Sequence, residues 1–420
     1  MKKRYDSYKP SGIDWIGDIP SHWDILPLKR ISTMFGRIGY RGYTVQDLRV
    51  EGEGAITLSP SNMSNGGMNY ENVSYLSWEK FHESPEIKIQ EGDILFVKTG
   101  STFGKTSYVD ELPMEATINP QILRIVPSIH KKYLAYCMGT PYSQALTDCY
   151  VVGSTIPTIS QESIGKFVFC VPPLAEQEAI AAWLDEKCGE IDAAIAKVDR
   201  EIELIDELKQ SEISRVVTRG LNPDTPLRPS GIDWIGDIPK HWIICKVKHL
   251  VKFNSGDTIT SEQFIDNAEF PVYGANGYRG QFDKYNFENQ RILIGRVGAL
   301  CGNVHYTNEK IWCSEHALIS SKAFGGLSFD YKWMCLLFES MNLNQYGGGS
   351  AQPVIASSVI ENLSIILPPL SEQQAIADYL DKKCTEIDGL KAKLSKKRET
   401  LTELRQSIIS EVVTGKRKVI

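Results

Sequence analysis

The stretch Pro172–Asp192, PPLAEQEAIAAWLDEKCGEID, returns at Pro368–Asp388 as PPLSEQQAIADYLDKKCTEID, an offset of 196. Each copy runs on through charged residues to a matching end, ELKQSEISRVVT from Glu207 and ELRQSIISEVVT from Glu403. Both copies read as long helices. In the first, Leu184, Cys188, Ile191, Ile195, Val198, Ile202 and Ile205 alternate steps of four and three, the seam of a coiled coil. In the second, Leu380, Cys384, Ile387, Leu394 and Leu401 fall on the same seam, with Lys391 and Arg398 where the first copy has Ile195 and Ile202. The double proline suits a helix start, and Ser371 with Gln374 has the spacing of a capping box. About 45 residues at 1.5 Å each make a rod of roughly 65 Å.

The two rods differ in charge. Residues 172–220 hold 12 acidic and 6 basic groups, and residues 368–420 hold 8 and 11. Opposite net charge favours pairing with each other over self-pairing, so the rods are expected to meet rather than lie separately in solvent.

A second repeat precedes each globular block. Ser11–Trp23 reads SGIDWIGDIPSHW and Ser230–Trp242 reads SGIDWIGDIPKHW, an offset of 219. The chain order is therefore leader, block, rod, leader, block, rod, with expected boundaries at 1–171, 172–220, 221–367 and 368–420. Trp15, Trp23, Trp234 and Trp242 are expected to bury against rods or blocks, making each leader a packing clip. The leader offset exceeds the rod offset by 23, so the second block is shorter by that amount.

Inside the blocks, short β-rich runs are bounded by turn residues. Ile94–Gly104 (ILFVKTGSTFG) aligns with Ile292–Gly302 (ILIGRVGALCG), placing Lys98 on Arg296, Gly100 on Gly298 and Gly104 on Gly302. A strand leading into a glycine-framed turn is built twice, with a cation at its tip both times. Gly153-Ser154 and Pro157 likewise match Gly349-Ser350 and Pro353. Elsewhere the blocks diverge, as two readers of different targets would, and as two drifted structural domains would.

At 420 residues and a net charge of −6, the chain has the size of a protein with two or more domains. The acidic excess runs against a nucleic-acid footprint. It is concentrated in the first rod, though, so DNA contact would depend on local basic loops. The start, MKKRYDSYKPSGIDW, lacks the apolar core of a signal peptide, and no apolar run reaches the length of a membrane span. The expected compartment is the cytoplasm, with the nine scattered cysteines reduced.

Catalytic motifs are missing from the sequence. Gly100–Thr106 has three residues between its glycines where a nucleotide loop needs four, and Asn303 and Val304 replace Lys105 and Thr106 in the second block. Cys301, His305, Cys313 and His316 match no ordinary zinc spacing. There is no GxSxG elbow and no GxGxxG after a strand. The strongest remaining signal is basic residues among aromatics on glycine turns: Arg37, Tyr40, Arg41 and Tyr43 in one block, Tyr273, Asn276, Tyr278 and Arg279 in the other. With Lys98, Thr102, Lys105 and Arg296 they form the candidate DNA-binding set, because Arg pairs with guanine, Asn with adenine, and Lys and Tyr reach phosphates. A tyrosine-rich surface loop has the same composition.

The PPLxEQ rods, the SGIDWIGDIPxHW leaders and the two unlike blocks together resemble the specificity (S) subunit of a Type I restriction–modification system, over essentially the whole chain. The resemblance implies an α+β fold. Two globular α/β target recognition domains are separated by two long helices, packed as an antiparallel coiled coil with an internal pseudo-two-fold repeat. It implies that each domain reads half of a bipartite, asymmetric site on double-stranded DNA. It implies two adenine-N6 methyltransferase (modification) subunits and restriction/translocase subunits as partners. S-adenosylmethionine, ATP and Mg would sit on those partners, with no cofactor and no catalysis in this chain. A coiled-coil scaffold for protein ligands, and a nucleotide-dependent enzyme using Gly100–Thr106, are the rival readings.

Overall fold

Pro173 and Pro369 each give a carbonyl to the first amides of a long helix, at 2.9 and 3.0 Å in the first case and 2.9 and 3.1 Å in the second. The helices span Leu174–Arg219 and Leu370–Val413 in a computed structural model that describes residues 3–64, 67–151, 157–323, 327–348 and 353–419. The second helix begins before Ser371, so Ser371 lies in its first turn and is not the expected cap. Gly220, at φ +76°, closes the first helix, a left-handed position that costs glycine no Cβ clash.

By its contacts the chain divides into two units, residues 1–198 with 396–420, and residues 199–395. Each unit holds part of both long helices. In the first, Arg405 Nε pairs with Asp192 at 2.8 Å, and Leu184 and Cys188 share a core with Ile409 and Val412. In the second, Lys391 reaches Asp206 at 2.7 Å and Lys209 reaches Asp388 at 2.7 Å. In each unit one number rises as the other falls, so the helices run antiparallel. The expected seam is where they meet. Leu184, Cys188, Ile191, Val198, Leu380 and Ile387 are buried, and Ile195, Ile202, Ile205, Cys384, Leu394 and Leu401 are half-buried, as in a pair with no third layer to cover it.

The first unit carries two four-stranded sheets. One has the order β6-β5-β8-β1, from β1 (Ser32–Gly36), β5 (Ile94–Val97), β6 (Thr106–Tyr108) and β8 (Ile122–Pro127), all antiparallel. The other has the order β7-β3-β4-β2, from β2 (Leu48–Arg49), β3 (Gly54–Leu58), β4 (Ser74–Ser77) and β7 (Ala116–Ile118), with β7 and β3 parallel. The helix Lys131–Met138 covers the first sheet through Tyr133, Leu134, Cys137 and Met138, all buried in the unit's main core.

The second unit repeats the plan. Its strands β9 (Val251–Ser255), β12 (Arg291–Gly295), β13 (Val304–Thr307) and β15 (Ala317–Lys322) take the same order, β13-β12-β15-β9. Its second sheet is β11-β10-β14, from β10 (Phe270–Gly274), β11 (Gly277–Phe282) and β14 (Trp312–Cys313), with β14 and β10 parallel. The helix Tyr331–Ser340 covers the four-stranded sheet through Trp333, Met334, Leu337 and Phe338. Much of the missing length is accounted for here. Residues 59–73 join β3 to β4, whereas Ala275 and Asn276 alone join β10 to β11.

The leaders clip the helix starts. Trp23 and Trp242 are 0 and 1% exposed. Trp242 gives its indole N–H to Glu372 at 3.0 Å, and His241 lies 2.6 Å from the same carboxylate. The glutamine of the PPLxEQ motif acts as a bracket. Gln177 donates to the Pro172 carbonyl and accepts from the His130 amide, and Gln373 does the same for Pro368 and Asp330. Trp234 is half-buried. Trp15 departs from expectation: it is 42% exposed and stacks on Tyr142.

Candidate nucleic-acid interface

The glycine-framed turn rests on the same peptide hydrogen bonds in both units. Val97 N donates to Lys105 O and Gly104 N to Val97 O; Gly295 N donates to Asn303 O and Gly302 N to Gly295 O. Lys98 N reaches Gln121 O at 2.9 Å, and Arg296 N reaches His316 O at 2.9 Å. Ile159 N closes on Lys98 O, as Ile355 N does on Arg296 O, and Gly100 and Gly298 donate to Pro157 and Pro353. Gly100, Gly104, Gly298 and Gly302 all have positive φ, from +81° to +110°, which glycine adopts freely. The aligned motifs are thus one backbone device made twice. Gly153-Ser154 and Gly349-Ser350 lie outside the described residues.

After the turn the chain enters a strand, β6 or β13, and not a helix. A nucleotide loop depends on a helix N-terminus to hold phosphate, so Gly100–Thr106 has the wrong setting for that role. Cys301 and Cys313 are buried. The Cys301 thiol points to the Arg296 carbonyl at 3.2 Å, a packing contact within the turn. Among the described residues, no group of three or more His, Cys, Asp and Glu side chains is placed to hold a metal.

In the first unit the ammonium of Lys98 is half-buried and has no ion pair or hydrogen bond among the described residues. Burial holds its pKa below the ordinary lysine value, because a desolvated cation without a counter-ion favours its neutral form. A Cβ on Gly36 would stand 3.3 Å from Lys98 Nζ, so the lysine lies against the mouth of the 37–43 loop. Lys105 is half-buried, without a carboxylate partner among the described residues, and Thr102 is exposed at the turn's tip.

Arg37 corrects the expectation of an outward reader. It is 5% exposed. Its guanidinium donates to the Ile118 carbonyl at 3.1 Å, to Thr117 Oγ1 at 3.0 Å and to the Arg41 carbonyl at 3.3 Å, and its Cζ lies 5.2 Å from the centroid of the Tyr43 ring. It staples the loop to β7. Arg41 donates to the Glu83 carbonyl and lies 3.5 Å from Glu86. The side chain of Tyr40 lies outside the described residues.

In the second unit the structure joins the two signals that the sequence kept apart. The β10–β11 hairpin tip abuts the glycine-framed turn: Asn303 Nδ2 donates to Asn276 Oδ1 at 3.3 Å, and Gly277 packs on the His305 ring. Asn276 is exposed and Tyr278 is 59% exposed. Arg279, also exposed, lies over the Phe264 ring. Tyr273 is less available, half-buried with its hydroxyl on Glu309 at 3.4 Å; burial raises its pKa. Arg296 donates to Ser255 Oγ at 3.1 Å, and that hydroxyl donates to the Glu315 carbonyl at 3.2 Å. The guanidinium is held in place by a hydroxyl, with no carboxylate partner among the described residues.

Ser255 and Gln121 escaped the sequence reading, which met Asn303 only as the replacement of Lys105 and His316 only in a cysteine–histidine group that matches no zinc spacing. Their shared places beside the cation are visible only once the backbone hydrogen bonds are known. The aligned runs INPQIL (118–123) and CSEHAL (313–318) held the signal.

The model of the Type I restriction modification DNA specificity domain matches residues 48–203 and 239–397, well over half of the chain. The putative type I restriction enzyme MjaX specificity subunit of Methanocaldococcus jannaschii is 23% identical over 429 aligned residues, covering 96% of both chains. The type I restriction enzyme EcoprrI specificity subunit of Escherichia coli is 32% identical over 165 residues, 37% of this chain and 40% of that relative. A solved structure on complex assembly and conformational transition of the type I R-M system contains a chain of the same fold. Its TM-score is 0.68 at 15% identity, and the match covers 94% of this chain and 98% of that one.

Proposed function

From the premise that this chain belongs to the Type I restriction–modification DNA specificity family, we propose that it reads a bipartite, asymmetric DNA site and positions two adenine-N6 methyltransferase subunits on it. Each unit reads one half-site. One observation carries the reading: a single backbone frame is built twice, with Lys98 and Gln121 on one copy and Arg296 and His316 on the other. A shared frame with different donors and acceptors is what two unlike half-sites require, since base edges are told apart by hydrogen-bonding pattern. The cations support it too. Lys98, Lys105 and Arg296 have no carboxylate partners among the described residues, so local positive charge is available to phosphates despite the net charge of −6.

The long helices set the spacing of half-sites, as dimer geometry does in other DNA readers. A duplicated chain offers like surfaces to two identical methyltransferase subunits, and restriction subunits join that assembly. Chemistry resides in the partners, which hold S-adenosylmethionine, ATP and Mg. The recognition units hold the duplex while a partner extrudes the target adenine.

The test is to express the chain with a methyltransferase subunit and sequence the methylated DNA. A two-part adenine-methylated motif, absent without this chain, is the expected result. Equal binding of all duplexes, or assembly that leaves no methylated motif, would favour a protein scaffold and overturn the reading.

A further inference from the structure

Gln121 and His316 occupy one position in the two copies of the frame. Each gives its carbonyl to the amide of the cation-bearing residue, Lys98 or Arg296, at 2.9 Å. Each sits on the short turn between the parallel strand and the next antiparallel one, β7 to β8 or β14 to β15. Gln121 is exposed and His316 is half-exposed.

The amide of Gln121 is oriented in advance. Its Oε1 accepts from Asn119 Nδ2 at 3.2 Å, and its backbone N–H is held by Asn119 Oδ1 at 2.9 Å. Asn119 itself is buried, at 9% exposure. The Gln121 Nε2 donates no hydrogen bond among the described residues, and it lies over Gly100, where a Cβ would come within 3.3 Å of it. An exposed amide with a fixed orientation, an unused donor and a second lone pair on its oxygen matches the N7 and N6 edge of adenine. A flexible surface glutamine would first have to order its side chain, at a cost in conformational entropy.

The second unit puts different chemistry at this place. The His316 imidazole, with Nδ1 3.7 Å from Glu315 Oε1, offers single donor or acceptor atoms and no amide fork. Glu315 gives its backbone carbonyl to the Ser255 hydroxyl that also receives Arg296. Imidazole and guanidinium are thereby tied to one small network.

We infer that Gln121 is the adenine-reading side chain of the first unit and that His316 is its counterpart, reading a different base in the other half-site. Lys98 and Arg296 are their neighbours on the frame. The inference rests on the DNA-specificity reading and adds to it which residue types set the difference between the half-sites.

The experiment uses the full chain in complex with the methyltransferase subunits, read out by sequencing of methylated DNA. Three variants are compared with wild type: Gln121→Ala, Gln121→Glu and His316→Gln. Gln121→Glu keeps the acceptor for Asn119, replaces the outward donor by an acceptor and adds a negative charge. Gln121→Ala removes the donor without a charge. A loss shared by the two at one base position is therefore base reading, and a loss seen in Gln121→Glu alone is charge repulsion. Both variants are expected to lower methylation of the cognate site relative to a one-base variant by roughly tenfold or more, at one position of one half-site. The other half-site stays as in wild type. His316→Gln is expected to move one position of the other half-site towards adenine. An unchanged motif in both Gln121→Glu and His316→Gln, or an equal loss on every sequence, overturns the inference. If the wild-type complex itself writes no two-part motif, the specificity reading falls with it; if wild type writes one and the variants write the same one, only this inference falls.

Discussion

Trp23 gives its indole N–H to Glu176 at 3.1 Å with the ring fully buried, and the carboxylate is 8% exposed. This bond, with His22 Nε2 2.9 Å from the same carboxylate, joins the leader to the first turn of a long helix. Deleting its acceptor strands a buried donor, which costs about 1–3 kcal/mol. Glu176→Ala should lower stability by that amount in urea unfolding followed by tryptophan fluorescence. Glu372→Ala should cost less, because the Glu372 side chain is 40% exposed and water can replace it.

The two turns should differ in their tolerance of a methyl group. At Gly104 a Cβ meets only the end of the Gln144 side chain, which can swing away. At Gly302 it meets the backbone of Leu343 and Asn344, which cannot. Both positions have positive φ, so both substitutions carry strain. Gly302→Ala is expected to destabilise by at least about 1 kcal/mol more than Gly104→Ala, as measured by thermal unfolding of the two variants.

The ion pair of Asp206 with Lys391 lies on half-exposed side chains. Such pairs contribute roughly 0.2–1 kcal/mol and weaken with salt. Asp206→Lys alone places two cations together and should lower the melting temperature at low salt. The double exchange Asp206→Lys with Lys391→Asp should restore most of the loss. A double exchange no better than the single one would show that the pair contributes nothing.

His305 titrates in the acid range. Burial lowers its pKa below the ordinary 6.5, and its Nε2 is buried without a hydrogen-bond partner. The unfolded chain therefore binds a proton at a higher pH than the folded one. Stability contributed by the neutral ring is full above about pH 6.5 and is lost as pH falls below it. Because Gly277 packs on this ring, the loss should appear in the hairpin. Protection factors of residues 270–282, which take out the intrinsic pH dependence of amide exchange, should fall as pH drops below about 6.5, and His305→Asn should flatten that dependence.

Much of the architecture was legible in the sequence, because long helices announce themselves over many turns. The 3,4 spacing from Leu184 to Ile205 marks the very face on which Arg405 and Lys391 meet their partners. The aligned glycines likewise foretold the turn, although Lys98 and Arg296 stand at its base and not at its tip. What stayed hidden depends on distant contacts. Arg37 reads as an exposed basic residue among tyrosines, yet the Ile118 carbonyl that captures it lies 81 positions away. Gln121 carries no motif and His316 stood out only as part of a group without zinc spacing, and their kinship rests on hydrogen bonds to Lys98 and Arg296, distant in sequence. The joining of Asn276 to Asn303 needed the short hairpin to fold onto a turn that composition cannot locate.

The glycine-framed turn is secured chiefly through peptide groups, so the side chains at 98, 121, 296 and 316 are not what keeps it shut. Structure and vocabulary are separable at this place. A combinatorial library randomised at those four codons should therefore yield mostly intact proteins that differ in the words they recognise, making the frame a chassis on which new specificities can be composed.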